Sequence, residues 1–215
     1  GETVIVSGQF MLDSETNLRE GFAKLTPPMA NPDTPLAALP LDATALVLID
    51  HFIDAALYFH EALIDKYEID PHFLNPAISA GETLKAQFVN TRLIPVIEQM
   101  QSVLAGAQDK KRPISLALSL SELVVAAKPW LLEGAPKHYK DKEIGLYQDI
   151  ETGRLFLQKK TQHGVSGEII ILNPYGNGEF RNIPWPLVMS DHSMKPLDEP
   201  AESPAGTSAP HAAHR

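Results

Sequence analysis

The hydrophobic pattern of this chain changes period once, near Tyr139, and that change constrains the fold more than any other feature. From Asp42 to about Lys128 apolar residues recur at three- and four-residue spacing, the mark of helices with one buried stripe. Beyond Tyr139 they alternate, the mark of strands with one buried face. Helices first and strands afterwards predict an α+β fold: a helical layer of three main helices followed by a small antiparallel sheet.

The first helix opens at Asp42, an N-cap residue type, and carries Leu46, Ile49, Ile53, Leu57, His60 and Ile64 on its apolar stripe. Asp50, Asp54, Glu61 and Asp65 are expected on the opposite face. The second helix is read from Asn75 as cap and Pro76 as first helical residue, with Leu84, Phe88, Leu93, Ile97, Met100 and Leu104 as its stripe. Pro95 is expected to kink it or split it in two. After a polar turn, Asp109 to Pro113, the third helix runs from Ser115 to Lys128 and is expected to stop at Pro129. In the second half, Ile144 to Ile150, the turn Glu151-Thr152-Gly153 and Arg154 to Lys160 read as a hairpin, with Gly153 taking a positive φ. Gly167 to Leu172 is the expected third strand and Glu179 to Ile183 a fourth. Four prolines among the eleven residues Leu25 to Pro35 predict an extended linker, 25–38, ahead of a domain spanning 39–188. From Met189 onward Pro, Ser, Ala, His and Glu dominate, and 189–215 reads as a disordered tail.

Ahead of the linker, Thr3 to Ser7 reads as a strand that turns at Gly8 and runs through Gln9-Phe10-Met11-Leu12 into Asp13-Ser14-Glu15 and a short helix. The segment has no initiator Met or signal peptide, and a lone strand leaves backbone polar groups unpaired, so partner strands are expected outside this chain. The order Gly1-Glu2-x-Val4-x-Val6-Ser7-Gly8-x-Phe10-x-Leu12-Asp13-Ser14-Glu15-x-x-Leu18 resembles the C-terminal end of periplasmic adaptor subunits (membrane fusion proteins) of RND heavy-metal efflux pumps. The resemblance covers about the first 25 of 215 residues and implies that 1–24 closes a membrane-proximal β domain. It further implies a periplasmic location, an export signal upstream, and assembly into a ring between an inner-membrane RND transporter and an outer-membrane channel. The later domain faintly resembles a helical domain of unknown function found at the C-terminus of some such adaptors. That likeness rests on Ser119-Leu120-Ser121-Glu122-Leu123 and Asn173-Pro174-Tyr175; the Cys and Met residues usual near the end of that domain are not matched, so no site is carried over.

Composition narrows the functions further. A net charge of −9 and a pI near 5.3 argue against a nucleic-acid partner, because nothing here would neutralise phosphates. With no cysteine, thiolate metal sites and thiol nucleophiles are excluded. No apolar run is expected to reach the 18 to 20 residues of a membrane span, which reads as a soluble chain. There is no phosphate-binding glycine loop, nucleophile elbow or His-Glu-x-x-His, and no enzyme is expected.

Metal ligation is the remaining chemistry. Met189, His192 and Met194 place two thioethers and an imidazole within six residues, donors that suit Cu(I) or Ag(I). His211 and His214, three apart, would share a side if that end became helical and would hold Zn(II) weakly. Both groups are equally what a solubilising tail contains by chance. His51, flanked by Asp50 and Asp54, is either a carboxylate–imidazole site or a solvated helix face. His60 reads as a core histidine, His163 as a polar loop residue, and Trp130 and Trp185 as packing anchors. No resident cofactor is expected; Cu(I), Ag(I) or Zn(II) would be cargo. The leading expectation is an adaptor component of a Cu/Ag or Zn/Co/Cd efflux pump whose extra domain binds metal or contacts the pump. A protein-interaction module without a metal role, and an enzyme with a site between helices and sheet, are the alternatives.

Overall fold

The structure, a computed structural model, describes residues 31–108, 113–160 and 169–186. Among them are five α-helices and a three-stranded antiparallel sheet, an α+β arrangement with the helical part first. The strand read at the start of the chain, the loop holding His163, and the tail from Met189 lie outside the described residues.

Helix α1 spans Ala43–Asp65 and starts where expected, with the Asp42 carboxylate accepting the Ala45 N–H at 2.7 Å. Its end is a left-handed Lys66, φ 58°. The buried stripe is rotated from the expected one: Ile49, Phe52, Ile53, Ala56 and Phe59 are at its centre, while Leu46, Leu57 and Ile64 are only half-buried. The cause is the set Ala45, Ala55, Ala56 and Ala62, whose small side chains let α1 pack closely against its neighbours across a wider face. That rotation takes Asp50 off the solvent face and into the interior.

The second helix is divided, as a proline in its middle allowed, into α2 (Asn75–Gln87) and α3 (Leu93–Ala107), so the layer has four long helices rather than three. The break falls at 88–92, ahead of Pro95, which then sits in the first turn of α3, where a missing N–H costs nothing. Thr91 secures the break by donating its hydroxyl to Phe88 O at 2.8 Å and accepting the Leu93 N–H at 3.3 Å. Asn75 is inside α2 rather than its cap, because a 3₁₀ turn, Pro71–Leu74, runs straight into it.

Helix α4 spans Pro113–Pro129, and Pro129 does not end the helical path as expected. The chain continues through a π turn, Trp130–Gly134, closed by Ala135 N–H donating to Trp130 O at 3.1 Å. A wider turn accommodates both the missing proline N–H and the ring's clash with the preceding carbonyl. Gly134 permits it: a Cβ there would lie 2.1 Å from the Trp130 ring. A short helix, α5 (Pro136–Asp141), follows and was not foreseen.

Strands β1 (Ile144–Asp149) and β2 (Leu155–Lys159) form the expected hairpin, with Leu146 opposite Leu157 and Tyr147 opposite Phe156. Gly153 has φ 72°, and the Asp149 carboxylate accepts the Thr152 N–H at 2.7 Å to fix the turn. Strand β3 (Phe180–Ile183) pairs with the other edge of β1, giving the order β2-β1-β3. The expected strand Gly167–Leu172 is not formed over its described part: Ile169 makes one isolated bridge, and 170–172 is an extended strap outside the sheet. The Gln158 side chain takes the place of a strand ladder, donating Nε2–H to Ile170 O and accepting the Leu172 N–H, each at 2.8 Å.

The core lies between the helices and β1 and β2, around Trp130, Tyr139, Phe52, Phe59 and Phe156. It also receives Leu36, fully buried in a 3₁₀ turn (Leu36–Ala38) within the segment read as linker; its N–H donates to Glu133, which Arg92 grips with two hydrogen bonds. Contrary to expectation, two helical stretches, Ala43–Asp65 and Ile114–Gly134, are long and apolar enough to cross a membrane by length and composition, with mean hydropathies of 1.2 and 1.4. Half of each is buried inside the fold, as core helices are.

Two glycine substitutions separate close packing from free space. Gly134→Ala is expected to cost about 1–3 kcal/mol by driving a methyl into the Trp130 indole. Gly106→Ala, which meets nothing within 4 Å in α3, should stabilise by up to about 1 kcal/mol. Urea unfolding of both variants checks the pair, and equal effects would contradict the packing at Trp130.

Candidate functional site

Met189, His192, Met194, His211, His214 and His163 all lie outside the described residues. Of the other candidates, His51 is half-buried on α1 and Asp54 is exposed, while Asp50 is interior. Among the described residues, no group of three or more His, Asp or Glu side chains is arranged to hold a metal ion.

Asp50 is instead the centre of a buried polar node. Both its carboxylate oxygens lie 3.0 Å from His138 Nε2, and Oδ2 also accepts from the Lys142 ammonium. Its side chain is only 9% exposed, so the His138 ring and the Lys142 ammonium, from the short helix α5 and the residue that follows it, compensate a carboxylate that water barely reaches. A four-residue spacing places His138 and Lys142 on the same side of the chain. Between them Tyr139 points inward, its hydroxyl accepting the Trp130 indole N–H at 2.8 Å. Burial, and then the nearby Asp50 charge, push the Tyr139 hydroxyl far above the usual tyrosine range, so it stays protonated. Crowding by the surrounding chain, which partly desolvates it although the residue is open to solvent, and then Asp50 raise the Asp54 carboxyl as well. With its oxygens occupied, Asp50 offers neither a free base nor a free ligand; the node fastens α5 to α1. Trp185 adds to it as an anchor, donating its indole N–H to Ile144 O at 3.0 Å and stacking on Tyr139.

The concave surface with binding character lies at the other end of α1. A groove of about 630 Å³ runs between the C-terminal half of α1, strand β2 and the strap, within the range of ligand sites. Leu57, Ile64, Ile170 and Leu172 supply its apolar walls, and Glu61, Asp65 and Lys159 its rim. His60 belongs to this groove rather than to a metal site. Its ring stacks on Phe156 with centroids 5.7 Å apart, and Nε2 is 2.9 Å from Leu172 O. A carbonyl only accepts, so the proton sits on Nε2 and fixes the tautomer. Burial lowers the His60 pKa below its ordinary 6.5, outweighing the opposing effects of the Leu172 hydrogen bond, Glu61 and Asp65. The imidazole is therefore neutral at pH 7.

A more polar groove of about 540 Å³ lies where α4 meets the sheet, lined in part by Lys128, Gln148, Arg181 and Asn182. Arg181 is held there by Gln148 Oε1, which accepts its Nε–H at 2.9 Å.

Sequence reasoning missed His138, Lys142 and Gln158. A signal for the first two was the run Lys137-His138-Tyr139-Lys140-Asp141-Lys142 directly after Pro136, in which nitrogen-bearing side chains four apart imply one shared face. Nothing local marks Gln158, which is one polar residue in an alternating strand.

In comparisons with protein-family models, with curated proteins and with solved structures, the chain matches none.

His60 makes stability depend on pH. Above 6.5 both folded and unfolded chains carry neutral imidazole, and no difference arises. As pH falls below 6.5 the unfolded chain takes up a proton that the folded one resists, so stability is lost until the lowered folded pKa is passed. His60→Gln, which keeps a donor for Leu172 O, is expected to remove this component. Urea unfolding at pH 7.5 and 5.5 should show a smaller loss for the variant than for the wild type.

Proposed function

We propose that this chain is the C-terminal part of a periplasmic adaptor of an RND heavy-metal efflux pump. In this reading Met189, His192 and Met194 take up Cu(I) or Ag(I) as it passes to the pump, and His211 and His214 take up Zn(II). The observation that carries the reading is the ordered run Gly1-Glu2-x-Val4-x-Val6-Ser7-Gly8-x-Phe10-x-Leu12-Asp13-Ser14-Glu15, whose glycines, Phe and acidic residues resemble the closing segment of that family. The chain then works between an inner-membrane transporter and an outer-membrane channel, as one member of an oligomeric ring. The acidic α+β unit is a non-catalytic attachment, and the metal is cargo.

The chemistry supports soft-ion capture in outline. Two thioethers and one imidazole form a neutral, soft donor set that favours Cu(I) and Ag(I) over hard divalent ions. A net charge of −9 draws cations toward the chain.

The same unit also supports a second reading, a protein-interaction module with no metal role. The observation in its favour is the open apolar groove between α1 and the strap.

Cu(I) competition between the full chain and a chromogenic chelator tests the first reading. About one equivalent should bind, and the triple variant Met189→Leu, His192→Ala, Met194→Leu should lose tenfold or more in affinity, about 1.4 kcal/mol. Unchanged affinity in that variant would remove the metal role and leave the interaction module.

A further inference from the structure

We propose that the groove between α1 and the strap is a docking site for a basic amphipathic segment of a partner protein. This goes beyond the metal reading and uses none of its residues, so either can fail alone.

The strap displays apolar surface that folding leaves uncovered. Ile169, Ile170 and Leu172 are 48%, 45% and 43% exposed, three large aliphatic side chains within four residues. Contiguous apolar exposure of this kind marks interaction surfaces, whereas single exposed residues do not. The strap is also held in advance. Gln158 and His60, both buried, take the Leu172 and Ile170 backbone groups, so this wall stands before any partner arrives and less ordering opposes binding.

The facing wall has helical spacing. Leu57 and Ile64 are half-buried on α1, two turns apart, and the lining from Leu57 to Asp65 extends about 12 Å along the helix. That length takes about two helical turns of a partner, entering with apolar residues at the same spacing.

Charge selects the rest of the partner. Asp54, Glu61 and Asp65 lie along one side of α1 at intervals of seven and four residues. Lys159 faces Glu61 and Asp65 across the groove from β2. Glu61 and Asp65 on the rim, beside the negative end of a 23-residue helix, and Asp54 two turns further up the same side stand against two ammoniums, Lys159 and Lys66, which leaves this side of α1 acidic. Such a rim attracts Lys and Arg and repels acidic segments and anionic lipid surfaces alike.

The test is fluorescence anisotropy of the full 215-residue chain with a labelled peptide of about 14 residues, Leu at helical spacing and Lys elsewhere. Saturable binding with Kd on the order of 10 μM is expected. Glu61→Lys and Ile170→Asp, both at exposed positions and both checked for folding by circular dichroism, should each weaken it by about tenfold or more. Ile114→Asp, at an exposed α4 position outside the groove, should leave it unchanged. Equal affinity across these proteins, equal binding of the same peptide with Glu for Lys, or no saturable binding would overturn the proposal. So would a concentration-dependent dimer of the wild-type chain that Ile170→Asp abolishes, which would assign the groove to a second copy instead.

Discussion

A carboxylate taken out of water must meet opposite charge or good donors, and the burial of Asp50 governs much of this fold. Left alone at that position it would cost several kcal/mol. His138 meets it from α5, a helix of six residues that is too short to be stable without tertiary support, and Lys142 from the C-cap position just after that helix. The Trp130–Tyr139 hydrogen bond then joins the π turn to the same point. Because α5 leads directly into β1 through the left-handed Glu143, fastening α5 to α1 also determines where the hairpin starts. Lys160 N–H donates to Glu143 O at 2.8 Å and closes the hairpin's open end against that turn.

A second dependence runs through the strap. A sheet of order β2-β1-β3 sends the chain from one edge strand to the other, and the residues between must pass an edge without joining it. Gln158 achieves this by presenting a side-chain amide where a neighbouring backbone would have been. The amide has one donor and one acceptor side, so it satisfies an N–H and a C=O of the strap at once. His60 satisfies one more carbonyl from α1. The strap is thereby anchored through its backbone while its aliphatic side chains stay exposed, the arrangement from which the groove and its binding character arise.

Much of the local structure was legible in the residues themselves. Asp42 marked the start of α1 and Gly153 the hairpin turn, because a side-chain cap and a positive φ are each demanded by a few neighbouring atoms. The place of Pro95 was less legible: the break it implied came before it, since the first turn of a helix is the one place where proline is harmless. Pro129 misled for the opposite reason. Its effect depends on whether the next turn can widen, which here rests on Gly134 lying against a buried indole. The described part of the strand expected at Gly167–Leu172 had the right composition, but a strand needs backbone partners, and here the Gln158 side chain takes the Ile170 C=O and the Leu172 N–H instead.

The candidate site divides along the same line. The donor chemistry of Met189, His192 and Met194, the absence of cysteine and the acidity are properties of the sequence, because each depends on residue type or short-range order. So is the α+β succession, which follows from one change of hydrophobic period. The rotation of α1 that buries Asp50, its pairing with His138 from 88 residues away, and the meeting of Leu57 and Ile64 with Ile170 and Leu172 were decided only by tertiary structure. Each requires surfaces distant in sequence to pack, and which face of a helix is buried depends on the shapes of its neighbours as much as on its own pattern.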